Sequence, residues 1–286
     1  MSDAREITMA LGGKWYSSYG LAFCPAHHNI DTPALSVGTG REGQLVVRCH
    51  AGCEFPAIMS ALRDRGLSGP EAASHRDYKA EQSAADRKRT LQAQQLARET
   101  VPVTGTIAEA YLRGRGITCP MPDMLRFHTS CWHPTGKRLP AMVARVKGSD
   151  GYAVHRTYLK PDGSGKAEVE PAKAMLGNCA GGAVRLIEAE GPLVAAEGIE
   201  TALSLASGLL TVPATIWAAL STSGLRALRL PATPARLTIA VDGDTPGREA
   251  AHMLAERAHK LGWTVSFLQA PEGKDWNDVL REMEKK

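Results

Sequence analysis

The sequence predicts a multidomain α/β protein: an N-terminal Cys/His ribbon, a basic α+β middle segment and a C-terminal parallel α/β sheet. Three observations carry this. Two short-spaced Cys/His pairs flank a hairpin-like stretch near the N-terminus. Gly, Pro and basic residues crowd residues 101–190. From residue 191 onwards, short β-rich apolar runs alternate with helical runs, the pattern of parallel strands joined by helical crossovers. A chain of 286 residues has room for roughly two domains, or one with small modules. Its net charge is only +4, so any affinity for polyanions must come from local clusters.

Residues 1–66 form the ribbon. "FCPAHH" spaces Cys24 and His27 by two residues, with His28 adjacent, and "RCHAGC" spaces Cys49 and Cys53 by three, with His50 between. Two such pairs about twenty residues apart can close a tetrahedral zinc site. The favoured ligands are Cys24, His27, Cys49 and Cys53, with His28 or His50 as possible replacements. Four protein ligands leave no open position, so this zinc is expected to be structural. So small a segment has little core, and zinc supplies about 10–16 kcal/mol in comparable modules. The helix "EFPAIMSALRDRGL" closes the segment, with Phe55, Ile58, Met59 and Leu62 on one face.

Residues 67–100 are polar and rich in Ala, Gln, Arg and Glu, which predicts a solvated helix or a mobile linker. Residues 101–190 follow as the basic α+β subdomain. "YLRGRGI", "VHRTYLKPDGSGKA" and "PAKAMLG" bring Arg113, Arg115, His155, Arg156, Lys160, Lys166 and Lys173 into a short span. Such clustering predicts contacts to phosphates more strongly than any one residue does. Cys119, Cys131 and Cys179 show no ligand spacing and are expected to be simple thiols.

Residues 191–286 read as four strand–helix units, with strands in "PLVAAEG", "TIWAAL", "RLTIAVDGD" and "TVSFLQA". In such sheets ligands gather at the carboxyl ends of strands. Glu197 ends the first strand, and Asp242 and Asp244 end the third. Two carboxylates at about 4 Å repel by roughly 4 kcal/mol at an effective dielectric of about 20, so a divalent cation or full solvation must offset them. Asp275 and Asp278, in "GKDWNDVL", are second-tier acids; Asp278 is either a further metal ligand or a cap of the last helix.

"EG" at Glu197-Gly198 followed by "DGD" at Asp242–Asp244 resembles the Toprim domain of bacterial-type primases, topoisomerases and certain nucleases. "CPAH…CHAGC" resembles the zinc-binding domain of bacterial-type DNA primases, and the order of segments is similar to the primase portion of phage and plasmid proteins. The resemblance implies a DNA primase that makes short RNA primers on a single-stranded DNA template from ribonucleoside triphosphates. It implies Glu197, Asp242 and Asp244 as the catalytic acids, joined by Asp278 in holding Mg²⁺ or Mn²⁺. Two ions about 3.5–4 Å apart stabilise the attacking and leaving oxygens in such chemistry. Among the basic residues, Arg156 and Lys173 match best the family positions that hold template and nucleotide phosphates. No helicase segment with a Gly-rich phosphate loop follows, which implies a separate replicative helicase as partner. The same acids and metals serve a Toprim nuclease, and a chain that had lost priming would act as a single-strand-binding replication accessory. A strand-passing topoisomerase needs a nucleophilic tyrosine context that Tyr111, Tyr152 and Tyr158 do not show.

No signal peptide is visible, and the most apolar stretch, 193–220, is broken by Glu197, Glu200 and Pro213, so no membrane span is expected. Six cysteines without a secretory signal predict a reducing compartment, the cytoplasm.

Overall fold

The computed structural model describes residues 3–16, 19–27, 33–40, 43–67 and 75–283, in two compact units that divide between Ala85 and Asp86. No helix among these residues is long and apolar enough to cross a membrane.

The first unit holds α1 (Ala4–Ala10), a four-stranded antiparallel sheet and α2 (Phe55–Asp64). The strands run in order β1 (Lys14–Trp15), β2 (Tyr19–Ala22), β3 (Leu35–Thr39) and β4 (Leu45–Cys49). Asp3 starts α1 with a capping box: its carboxylate accepts from Glu6 N–H at 2.7 Å, and the Glu6 carboxylate accepts from Asp3 N–H at 3.0 Å. Alternation along β3 and β4 buries Leu35, Val37, Leu45, Val47 and Cys49 with Ile7 of α1 and Ile58 and Leu62 of α2. Ala22, Leu35 and Cys49 form one cross-strand row. That row carries Cys49 and the chain leading to Cys24 to the same end of the sheet.

α3 (His75–Arg98) crosses the division between the units. Residues 83–89 are exposed, as a solvated helix should be. Its last turns are different. Ala93, Leu96 and Ala97 lie on one face, at spacings of three and four, and pack on the second sheet.

The second unit is built on two five-stranded sheets. One is antiparallel, in order β5 (Val101–Pro102), β6 (Leu125–Trp132), β7 (Arg138–Val146), β8 (Ala153–Tyr158) and β9 (Lys173–Leu176), with α4 (Ile107–Gly114) between β5 and β6. The other follows the order β10-β12-β11-β13-β14, from β10 (Val184–Ile187), β11 (Leu193–Ala196), β12 (Thr215–Ala218), β13 (Arg236–Val241) and β14 (Thr264–Gln269). β12, β11, β13 and β14 are parallel, and β10 adds an antiparallel edge. The crossovers are α5 (Ile199–Ser204), α6 (Thr222–Ala227) and α7 (Thr245–Lys260), and α8 (Trp276–Met283) ends the unit.

Three apolar layers hold these parts together. Ala93 and Leu96 cover one face of the antiparallel sheet at Cys131, Ala141, Val143, Val154 and Tyr158. Its other face, through Phe127, Met142 and Ala144, joins Tyr111 and Leu112 of α4 and Val194, Ala196 and Ala240 of the parallel sheet. Beyond that sheet, Leu193, Ala195, Leu237 and Ile239 pack on Ala250, Ala251 and Leu254 of α7. β11, β12 and β13 are therefore buried on both faces, as their apolar runs require, whereas β14 is a largely exposed edge.

Candidate active site and metal cluster

In the first unit, Cys24, His27, Cys49 and Cys53 bring their ligand atoms within 4.8 Å of one another. His27 Nδ1 lies 3.0 Å from Cys53 Sγ and 3.7 Å from Cys49 Sγ. His50 is engaged elsewhere, with Nε2 2.7 Å from Ser36 Oγ, and His28 lies outside the described residues. Burial, then the crowding of Cys49 and Cys53, pushes the Cys24 thiol up to about 12. Three thiols so close cannot all ionise unaided, whereas a bound cation allows it. Three sulfurs and one imidazole suit a metal of borderline softness.

In the second unit, Glu197 directly follows β11 and Asp242 directly follows β13, and these adjacent parallel strands set Ala196 opposite Ala240. Strand ends in register bring the two carboxylates to one edge. Leu220, at φ 75, donates its N–H to the Glu197 carbonyl at 2.6 Å; this non-glycine residue in the left-handed region is a local strain beside the site. Gly243, between the two aspartates, donates to Lys274 O at 2.8 Å and accepts from Gly273 N–H at 2.9 Å. A Cβ at 243 would overlap the Pro271 carbonyl oxygen, which is why glycine stands there. The same close approach delivers Asp275 to the pair.

Burial, then the charges of Asp275 and Glu197, pushes Asp242 up to about 7, against a 3.4 Å hydrogen bond from Thr201 Oγ1. Glu197 is raised by burial and by Asp244, with Lys173 opposing. Asp244 is exposed and caps α7, accepting from Gly247 N–H at 2.7 Å. Four carboxylates thus converge, and burial first, then the neighbouring negative charges, disfavour the ionised forms of Asp242 and Glu197, a cost that a divalent cation would offset. This donor set fits a hard, oxygen-preferring ion. Asp275 and Asp278 cap α8 reciprocally: Asp275, just before the helix, accepts from Asp278 N–H at 2.8 Å, and Asp278 accepts from Asp275 N–H at 3.2 Å. Asp275 is the carboxylate whose charge raises Asp242.

The basic residues separate by strand parity. On β9, Lys173 faces the parallel sheet and reaches Glu200 Oε2 at 3.0 Å, and Lys166 reaches Glu200 Oε1 at 3.3 Å. Tyr111 OH donates to the same carboxylate at 2.8 Å. Burial alone would raise Glu200, but the charges of Lys173 and Lys166 hold it well below the usual carboxylate range. The charge of Arg115 also reaches Lys166 and Tyr111. His155 shares this region but is buried, and burial first, then Lys173, lowers it to about 4, so its ring is neutral.

Arg156 corrects the expectation of a phosphate ligand. One residue from His155 on β8, it points to the opposite face, is 6% exposed, and donates to Trp132 O at 2.8 Å and Met175 O at 3.1 Å. Arg113 likewise spends its guanidinium on Ile117 O, Cys119 O and Glu109, at 2.7, 3.0 and 3.1 Å. Lys160 pairs with Glu168 at 2.7 Å, away from the acids. Glu200 was invisible in the sequence as a site residue, because a Glu in the first turn of a helix is ordinarily a solvated dipole partner.

The Toprim domain family model matches residues 192–285, which span β11 to α8 and contain Glu197, Asp242, Asp244 and Asp275. A domain of unknown function, DUF7146, matches residues 87–186. No curated protein matches the chain. Among solved structures, a DNA primase domain from Pseudomonas aeruginosa is similar at 20% identity, over 68% of this chain and 74% of that one, with a TM-score of 0.43. The zinc-binding and RNA polymerase domains of the Aquifex aeolicus primase are similar at 16% identity, over 100% and 83%, with a TM-score of 0.42. The RNA polymerase domain of the Mycobacterium tuberculosis primase follows at 19% identity, over 78% of each chain, with a TM-score of 0.34. Residues 192–285, then, match the Toprim domain model, with their acids gathered at one edge of the parallel sheet.

Proposed function

We propose that the protein is a DNA primase, joining ribonucleotides on a single-stranded DNA template. The observation that carries this is the convergence of Glu197, Asp242, Asp244 and Asp275 beside two lysines, Lys166 and Lys173, held on a second sheet. An acidic cluster alone serves hydrolysis or transfer. Acids facing fixed cations serve a reaction in which phosphates must be gripped and oriented.

Mg²⁺ or Mn²⁺, bound by Asp242 and Asp244, would supply the positive charge that stabilises the attacking and leaving oxygens. Asp244 is fixed for this by its cap on α7, and Asp242 by Thr201. Glu197, with its pKa raised by burial, is the group we assign to accept the proton of the attacking 3′-hydroxyl. Lys173 and Lys166 orient phosphates, with Glu200 keeping both ammonium groups on the face that looks toward the acids. The Cys24, His27, Cys49 and Cys53 cluster would hold a structural zinc, closed to substrate. A separate helicase and a cytoplasmic setting complete the reading.

Primer synthesis from labelled ribonucleotides on single-stranded DNA tests the proposal. Wild-type protein makes short labelled products with Mg²⁺ or Mn²⁺, and Asp242→Asn makes none. Cleavage of the template without primer synthesis would point to a Toprim nuclease. Tight strand binding with neither activity would point to an accessory protein.

A further inference from the structure

The β6–β7 hairpin carries a tryptophan that the proposed chemistry does not use. Trp132 ends β6 and pairs with Arg138 at the start of β7. It is 53% exposed, and the Arg138 guanidinium lies 4.9 Å from its ring centroid. One exposed apolar side chain is ordinary. The backbone under this one is not, because buried groups fix it from below. The Trp132 carbonyl accepts from Arg156 Nη1 at 2.8 Å and from Tyr158 OH at 2.7 Å. The buried ring of His133 contacts Thr135 Oγ1 at 2.7 Å and Pro171 O at 2.9 Å. Arg138 is itself tied to Ser130 O at 3.1 Å. A rigid base therefore presents a large ring to water.

Its placement follows from alternation along β7. Ala141 and Val143 face α3, whereas Met142 and Ala144 face the parallel sheet. Arg138 has the parity of Met142. Met142 stands opposite Thr157, and Thr157 opposite Lys173. The Trp132–Arg138 pair thus lies on the sheet face that carries Lys173, four residues along β7 from its row, about 14 Å at 3.4 Å per residue. The Arg138 guanidinium places a positive charge beside the ring.

We infer that Trp132 is a stacking platform for one base of a single nucleic-acid strand led past Lys173 to the carboxylates. An aromatic face accepts any base, and the Arg138 guanidinium beside it meets a neighbouring phosphate. The inference rests on a nucleic-acid substrate, as proposed above, and requires no catalysis.

The test is fluorescence anisotropy of the full chain with a labelled single strand of about 12 nucleotides, and with an abasic strand of the same length. Trp132→Ala weakens binding of the base-bearing strand about 5- to 150-fold, the range that base–aromatic stacking commands. Trp132→Phe stays within a few fold of wild type, and on the abasic strand Trp132→Ala and wild type bind alike. The inference is overturned if Trp132→Ala binds the base-bearing strand as wild type does, if it loses as much on the abasic strand, or if wild type binds no strand. Strand binding that depends on Trp132 in a protein that makes no primer would remove the primase reading alone.

Discussion

Lys173 Nζ sits 3.0 Å from Glu200 Oε2, an ion pair between the antiparallel sheet and the first crossover helix of the parallel one. Lys166 and Tyr111 converge on the same carboxylate, whose side chain is 5% exposed. Glu200→Ala leaves two ammonium groups and a phenol without their acceptor. Breaking a buried pair in this way costs about 3–5 kcal/mol, and the partial exposure of the lysines brings the figure toward the lower end. Lys173→Met should cost less, because Lys166 still pairs with Glu200. Denaturant unfolding of the two variants checks the order; equal losses would mean that Glu200 is not the shared acceptor.

Purified protein should contain about one zinc ion per chain, bound by Cys24, His27, Cys49 and Cys53. Cys49→Ser should release it and expose the first unit to proteolysis, since zinc supplies about 10–16 kcal/mol to modules of this size. Elemental analysis with limited trypsin digestion reads both effects. A reduced, zinc-free protein that resists trypsin as the loaded one does would refute the assignment.

Asp242→Asn removes a charge that burial, Asp275 and Glu197 all oppose. In metal-free buffer at pH 8 the variant should melt several degrees above wild type. Mg²⁺ or Mn²⁺ at millimolar concentration should raise the melting temperature of wild type and leave the variant unmoved. Differential scanning fluorimetry separates the two, and an equal response to the ions would remove Asp242 from the ligands.

Burial holds His155 near a pKa of about 4, below the ordinary histidine value of 6.5. Between those values the unfolded chain binds a proton that the folded chain does not. Stability from the neutral ring is therefore complete above about pH 6.5 and is lost as pH falls toward 4, by at most about 3 kcal/mol. His155→Gln should lose less stability than wild type over that window. Unfolding free energies at pH 7 and pH 4.5 give the comparison, and parallel losses would show that His155 does not titrate.

The acids at the strand ends were legible because strand, turn and helix alternate cleanly there, and a parallel sheet puts every such turn on one edge. The metal cluster was legible as two ligand pairs, whose spacing left His28 and His50 open as replacements. The basic segment was not, because nearness along the chain is not nearness in space, and β8 sends neighbours to opposite faces. Arg156 and His155 are adjacent in sequence and separated by the whole sheet in space. Tertiary packing also overrode the polar character of α3, whose small buried face of Ala93, Leu96 and Ala97 is too short to register against its charges. The choice between Asp275 and Asp278 depended on which one the Gly243 contact draws inward, and no local pattern records that.

Asp244 and Asp242 stand under opposite pressures. Asp244 begins α7, so a lineage that abandoned the chemistry would still gain from keeping it. Asp242 works against the fold, and once the reaction no longer mattered, drift would replace it first. Under the proposed chemistry, a surviving Asp242 among descendants of this chain would therefore mark a site still in use, whereas a surviving Asp244 marks only a helix that still needs its first turn.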